Sequence, residues 1–448
     1  MRRPLAFIAL GLTIIACNKE PANAKGAEAS EDPRARVERL CNGMNRLSLA
    51  YVAGAAELEV DSLDQEAERA KVKEACKALP LTLVECADSL ALDDPRCDAA
   101  LGKQLGMTDT TPQGKGPAPR WALTLPFELY DLEPSTDGSI AVAGKTDIAL
   151  VNDGTVVWTR TLDDASSRVG WWKDGLLTGD GGELRCYDAK GDVRWTTVVD
   201  DGDDAWLSGI KAGPEGSVLV VTGRGAIVRI DGDQCAAGAE GCTTPLGTVE
   251  ALVGMQVAVL PSGAIVGSND DGIVLVSASG ALLSRRSAEF EASVPRGPLI
   301  IAGKDILRAR PDCTQGNDDC FETVASDKDL ELTAPVELPG VGIAYADTFG
   351  VIHMVGTAEW KIDAGNDADL VGRGSTLYSV GHELGLGEAL ERPPRLRAID
   401  ARTGKTQWLT ELGTERAGLL SGYLLASSEQ DLLVATKTQL FAIPWAAG

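Results

Sequence analysis

Residues 119–448 carry apolar and polar residues in short alternating runs, the clearest at Leu396–Leu412, LRAIDARTGKTQWLTEL. There Leu396, Ala398 and Asp400 alternate with Arg397 and Ile399, the two-residue period of a half-buried strand. Asp400 to Gly404 supplies turn chemistry: an Asp that bonds its own backbone and a Gly that tolerates positive φ. Trp408 then opens a second strand. The unit recurs as Asp147–Asn152 turning at Gly154 into Trp158–Leu162, and as Glu183–Asp188 turning at Gly191 into Trp195–Val199. Weaker copies begin at Ala226, Gly272 and Asp305, and the loosest at Val351 before Trp360. The last, Gln439–Pro444, lacks its second strand.

A match for that missing strand lies at the other end of the region. Trp121-Ala-Leu-Thr-Leu125 repeats Trp158-Thr-Arg-Thr-Leu162 almost position for position. A strand at 120–126 is therefore expected to complete the last sheet, closing a ring and removing open sheet edges. First strands at 147, 183, 226, 272, 305, 351, 395 and 439 lie 33 to 46 residues apart, a propeller-blade period. Eight blades are expected. Seven is the alternative, because the copy at 351 is poor.

The period changes upstream. In 32–107, Val37, Leu40, Cys41, Met44 and Leu47 recur at helical spacing after the Asp32-Pro33 start signal. Further helices are expected from after Asp61-Ser62 to Leu79, over Leu81–Leu90, and from Asp94-Pro95 to near Gly106. So small a domain has a thin core and needs staples. Cys41 and Cys76 stand about equally far from the loop near residue 58, and Cys86 and Cys97 flank the loop near 92. Helical hairpins then pair Cys41 with Cys76 and Cys86 with Cys97. A four-Cys zinc site is the rival, but its cysteines would sit two to four residues apart, and here the closest gap is ten. Residues 108–118 read as a Pro/Gly/Thr linker.

Before the helices stands a signal segment, residues 1–16: basic Arg2 and Arg3, then an apolar run too short to span a membrane. It ends Ile14-Ile15-Ala16-Cys17, which resembles a bacterial lipobox. Cys17 is the expected lipidation site, followed by a flexible tether to residue 31. An ordinary signal peptide with an incidental Cys is the alternative. Asn18, in place of Asp, resembles the sorting signal of outer-membrane lipoproteins.

The recurring Leu-x-Ala-x-Asp, then Gly, then Trp, resembles the PQQ-like β-propeller repeat family over residues 119–448. That family includes quinoprotein dehydrogenases and the BamB-type lipoprotein of outer-membrane assembly. The resemblance implies an all-β propeller behind the disulfide-bonded α-helical domain. It also implies that Trp121, Trp158, Trp195, Trp360 and Trp408 pack between neighbouring blades. Quinoprotein dehydrogenases carry adjacent cysteines that close a ring against the cofactor. This chain has no Cys-Cys dipeptide and no Cys-x-x-Cys-His haem motif. Trp171-Trp172 offers either a stacking surface or core packing.

Composition narrows the classes. The formal charge is −24, falling by two to −26 once Arg2 and Arg3 leave with the signal segment, and an acidic surface disfavours nucleic acid. Cys235–Cys242 and Cys313–Cys320 share one spacing, each just after the first strand of its unit, and are expected to staple long turns. Such pairing fits an oxidising, exported environment. Cys186 is left over at a position equivalent to Leu150 and Ala398, a buried and inert one. The two histidines, His353 and His382, lack a nucleophile motif nearby. Acidic runs at 200–204, 269–272 and 366–369 lack calcium-loop spacing. The expectation is a non-enzymatic, monomeric outer-membrane lipoprotein, on the periplasmic side or cell surface, with no cofactor, contacting envelope proteins or polymers. A quinone-dependent dehydrogenase and a propeller binding a small ligand or polysaccharide are the alternatives.

Overall fold

The computed structural model describes residues 32–445 except for short segments, the longest being 288–296, 383–393 and 414–423. The signal segment, Cys17 and the tether lie outside the described residues. The chain divides into two compact units, 1–109 and 110–448. No helix of the described residues is long and apolar enough to cross a membrane.

The first unit holds five helices: α1 (Pro33–Gly43), α2 (Arg46–Ala55), α3 (Glu66–Cys76), α4 (Leu81–Ser89) and α5 (Pro95–Gln104). Asp32 caps α1, its carboxylate accepting from the Arg34 N–H at 3.2 Å. The sequence reading expects one continuous helix across Met44; the structure breaks it there. Met44, just past Gly43, leaves the helical conformation, and the Asn45 side chain accepts from the Ser48 N–H at 3.0 Å, starting α2 afresh. The break rotates Leu47 out to 42% exposure, whereas Val37, Cys41 and Met44 enter the core with Leu49, Val52 and Val72. The disulfides run Cys41–Cys76 and Cys86–Cys97, with Cα–Cα distances of 5.8 and 5.7 Å. These are the pairs that helical hairpins require.

The second unit is an eight-bladed propeller. Each blade is an antiparallel meander of consecutive strands, A innermost to D outermost. The blades cover 131–161, 169–198, 207–248, 256–286, 299–326, 336–363, 366–411, and 424–444 with 121–124. Blade 5 has three described strands, aligned with B to D of the others. The eight repeats read from sequence are the eight C strands, from Asp147–Asn152 in blade 1 to Gln439–Pro444 in blade 8. Trp121–Thr124 pairs antiparallel with Gln439–Pro444, Trp121 opposite Ala442, as the fourth strand of blade 8. An apolar cluster fills each of the eight seams between successive blades, so the ring is continuous.

The D strands of blades 1, 2 and 7 share a one-residue bulge just before their Trp: Val157, Arg194 and Gln407 are each the extra residue. The bulge turns the indole toward the next blade. A Cβ on Gly154, in the C–D turn of blade 1, would come within 2.7 Å of the Trp121 ring; one on Gly191 of blade 2 would meet Trp158 at 2.8 Å. The repeated Gly is thus the seat of the preceding blade's Trp. Blade 8 has no C–D hairpin, since the chain is open there. The linker substitutes: a Cβ on Gly116 would meet the Trp408 ring at 2.4 Å. Gly114–Lys115 pairs parallel with Trp408 and Leu409 as a fifth strand of blade 7. Residues 113–117, read from sequence as free linker, are therefore part of the propeller.

Candidate functional site

Connections A–B and C–D gather on one end of the ring, connections B–C and D–A on the other. At the B–C and D–A end, the seam between blades 5 and 6 holds a polar cluster. Tyr345 lies next to the end of strand B of blade 6 and His353 lies opposite it on strand C. Their rings stack with centroids 4.9 Å apart and planes at 6°. Asp347, in the intervening turn, lies 2.8 Å from His353 Nε2 and also accepts from the Val351 N–H at 3.0 Å. Asp327, just after the last strand of blade 5, accepts from the Tyr345 hydroxyl at 3.2 Å and lies 3.9 Å from His353 Nδ1. Burial first, and then the charge of Asp327, pushes the Tyr345 ionisation up, so its hydroxyl stays a donor at neutral pH. The imidazole is thus held between two carboxylates from adjoining blades, an arrangement that latches the seam.

A second group lines the innermost strands of blades 1 to 3. Lys211 of blade 3 reaches Glu133 of blade 1 at 2.7 Å, past the intervening strand of blade 2. The Trp171 indole N–H donates to the Glu133 carbonyl at 2.9 Å. Asp131 accepts from the Val169 N–H at 3.1 Å. Burial raises the Asp131 carboxyl above its ordinary value, against the lowering pull of Arg168 and Lys211. Asp369 repeats the device at blade 7, accepting from the Leu425 N–H of blade 8 at 2.8 Å. Each carboxylate ties its innermost strand to the next.

At the opposite end, the seam between blades 8 and 1 leaves a cleft lined by Arg120, Ser135, Gly138, Glu429 and Asp431. Arg120 pairs there with the buried Asp431 at 2.7 Å. The cleft has space for about one water, ≈20 Å³, far below a small-ligand pocket.

The sequence-selected residues fall as follows. Trp158, Trp195 and Trp408 are buried and Trp121 half-buried, all in seams between blades. Trp360, the weakest by pattern, donates its indole N–H to the Ala401 carbonyl in the C–D turn of blade 7 at 2.8 Å. Trp171 and Trp172 point to opposite sides of their strand and form no common stacking surface. Trp172 is buried against Trp195, with centroids 5.8 Å apart, and donates to the Gly216 carbonyl. Cys235–Cys242 and Cys313–Cys320 are disulfides, each within a C–D connection. Cys186 is a buried free thiol that burial pushes up to about 12, the opposite of a reactive cysteine. The His382 side chain, Asp203, Asp204, Asp270 and Asp271 lie outside what is described. Among the described residues no group of three His, Cys, Asp or Glu is placed to hold a metal ion. Sequence reasoning missed the partners of His353. Tyr345 and Asp347 lie eight and six residues upstream, so a hairpin turning at 347–350 would have brought them to it.

No family model matches the chain, and no curated protein matches it in sequence. Solved structures similar to it include Sqt1 of Saccharomyces cerevisiae, at 12% identity and TM-score 0.49 over 73% of this chain and 99% of that one. BamB from Moraxella catarrhalis is similar at 15% identity and TM-score 0.39, over 56% of this chain and 82% of that one. The WD40 domain of SCAP from fission yeast is similar at 8% identity and TM-score 0.46, over 72% and 96%. Such likenesses concern the fold alone, and the blade count rests on the sheets themselves.

Proposed function

We propose that the protein is a non-enzymatic scaffold of the bacterial cell envelope, held to the outer membrane through lipidated Cys17 and presenting its propeller to an envelope protein. Work in outer-membrane protein assembly, in the manner of BamB, is the most concrete form of this reading. The observation that carries it is how the repeat is used. Where the repeat is strongest, its Trp and Gly are engaged in seating one blade on the next, so the ring turns outward its loops and strand edges, where function is grafted on a fold. Four disulfides support an oxidising, exported setting.

Crosslinking in intact cells, capture of the tagged full-length protein and mass spectrometry of what accompanies it tests the reading. Barrel-assembly proteins that are captured with the full chain, and lost when 113–448 is deleted, are expected. Cys17→Ser should release the protein from membranes. Recovery of no protein partner, or stoichiometric quinone in the purified protein, would contradict the scaffold.

A further inference from the structure

The linker shows how the propeller's rim can be occupied. Gln113 donates its N–H to the Thr406 carbonyl and Gly116 to the Leu409 carbonyl, both at 3.1 Å, so the outer edge of blade 7 takes an extended segment in parallel register. We propose that the outer edge of blade 2, Val193–Val198, takes an extended, cationic segment of a partner polypeptide in the same way. The proposal rests on the scaffold reading and names the surface and the chemistry of its partner.

The two edges share their architecture. Thr406, Gln407 and Trp408 of blade 7 correspond to Val193, Arg194 and Trp195 of blade 2, with the same bulge at the second residue. In that register the Val193 and Thr196 carbonyls stand where Thr406 and Leu409 receive the linker. Main-chain pairing of this kind is a general mode of peptide capture. Other edges are blunted as edge strands usually are. Blade 3 has Pro245, blade 4 ends in Arg285-Arg286, and blade 6 carries Lys361 and Asp363. In blade 1, Arg160 folds back onto the Thr159 carbonyl. Blade 2 carries one charge on this strand, Arg194, and it is drawn aside to Asp174 at 2.6 Å and over the Trp172 ring. Val193 and Val198 remain 53% and 55% exposed at the two ends of the strand.

Charge selects the occupant. The stapled turn of blade 3 packs its short helix Gly232–Ala236 against this strand, and Cys242 Sγ lies 3.8 Å from Thr197 Oγ1. That turn brings exposed Glu240, and Asp233, which pairs with Lys173 at 2.5 Å, while blade 2 itself adds exposed Asp192, so Glu240 and Asp192 supply the negative charge beside the edge. A segment bearing Lys or Arg is favoured beside them, as Lys115 is the residue the linker brings to blade 7.

A photo-crosslinking residue at Val193 of the full-length lipoprotein, in intact cells, tests this, with the same residue at exposed Val253 as the comparison. The crosslinked peptide is sequenced. The expected adduct at Val193 falls on a Lys- or Arg-bearing segment without Pro at the paired positions. Adding Val198→Lys should lower its yield at least fivefold, and Val198→Asp should preserve it. An adduct insensitive to Val198→Lys, or one on a second copy of this chain, overturns the proposal. Adducts through Val253 alone, or at neither position, overturn it and leave the scaffold to be decided by the capture experiment above.

Discussion

The helical unit places Cys41–Cys76 at the centre of its core, whereas the propeller builds its core from eight seams between blades, and its two disulfides close C–D turns that pack into two of them, Cys235–Cys242 between blades 2 and 3 and Cys313–Cys320 between blades 4 and 5. The difference follows from size. A domain of that length buries too little apolar surface to stand on packing alone, and a covalent link across its core does what packing cannot. The propeller spreads its core over eight seams around a closed ring, seating an indole on a glycine where blade 8 meets blade 1 and blade 1 meets blade 2. Damage at one seam leaves the others intact.

The largest effect is therefore expected at the helical staple. Closing 36 residues is worth about 4 kcal/mol in the chain-entropy model, close to the whole stability such a unit is expected to have. Cys41→Ala with Cys76→Ala should abolish the helical unit's own melting transition in calorimetry while the propeller's stays in place. Retention of both transitions would break the comparison. Next comes a seam. Trp158→Ala removes a buried indole and should cost about 3–5 kcal/mol, read as a lower denaturant midpoint for the propeller with the ring still folded. The turn disulfide is smaller again. Cys235→Ala with Cys242→Ala opens an eight-residue loop, worth about 2.5 kcal/mol in the same model, and the midpoint should fall by less than for Trp158→Ala.

Two finer effects sharpen the picture of the propeller's interior. Asp131 has a raised carboxyl in the folded state, so the folded protein holds this proton more tightly than the unfolded chain. Its contribution falls as pH rises from about 4 through the folded value. Asp131→Asn keeps an acceptor for the Val169 N–H and should be at least as stable as the parent at pH 7, the difference vanishing near pH 4. A variant that loses more stability at pH 7 than at pH 4 would show the reverse sign. Cys186, raised to about 12, should leave a chain starting at residue 18 unreactive toward a thiol reagent until denatured, when one thiol appears.

Much of the propeller was legible because strand C and the turn after it carry specific residues in the three clearest repeats, at 147, 183 and 395, and strand C keeps its apolar run and spacing in the weaker ones. Asp, Gly and Trp mark where the chain turns and which blade it seats, and the orphan Trp121 strand announced the closure. Strands A and B carry no such signature. Ile140–Ala143 and Leu299–Ala302 are short apolar runs whose place is set by burial on both faces rather than by alternation. The Lys211–Glu133 pair and the strand Gly114–Lys115 join residues far apart in sequence, which no local pattern records. The break at Asn45 was missed because the apolar spacing across Gly43 continues the helical period, although Gly followed by a capping Asn marks a restart.

The most direct test is calorimetry of the chain from residue 18, with and without a reductant strong enough to open the disulfides. The account predicts two transitions under oxidising conditions. On reduction the helical transition should vanish, while the propeller's survives with its midpoint lowered by no more than opening its two turn staples can cause. Loss of both transitions together, or of the propeller's alone, would contradict the claim that the ring stands on its packing and the helical unit on its disulfides.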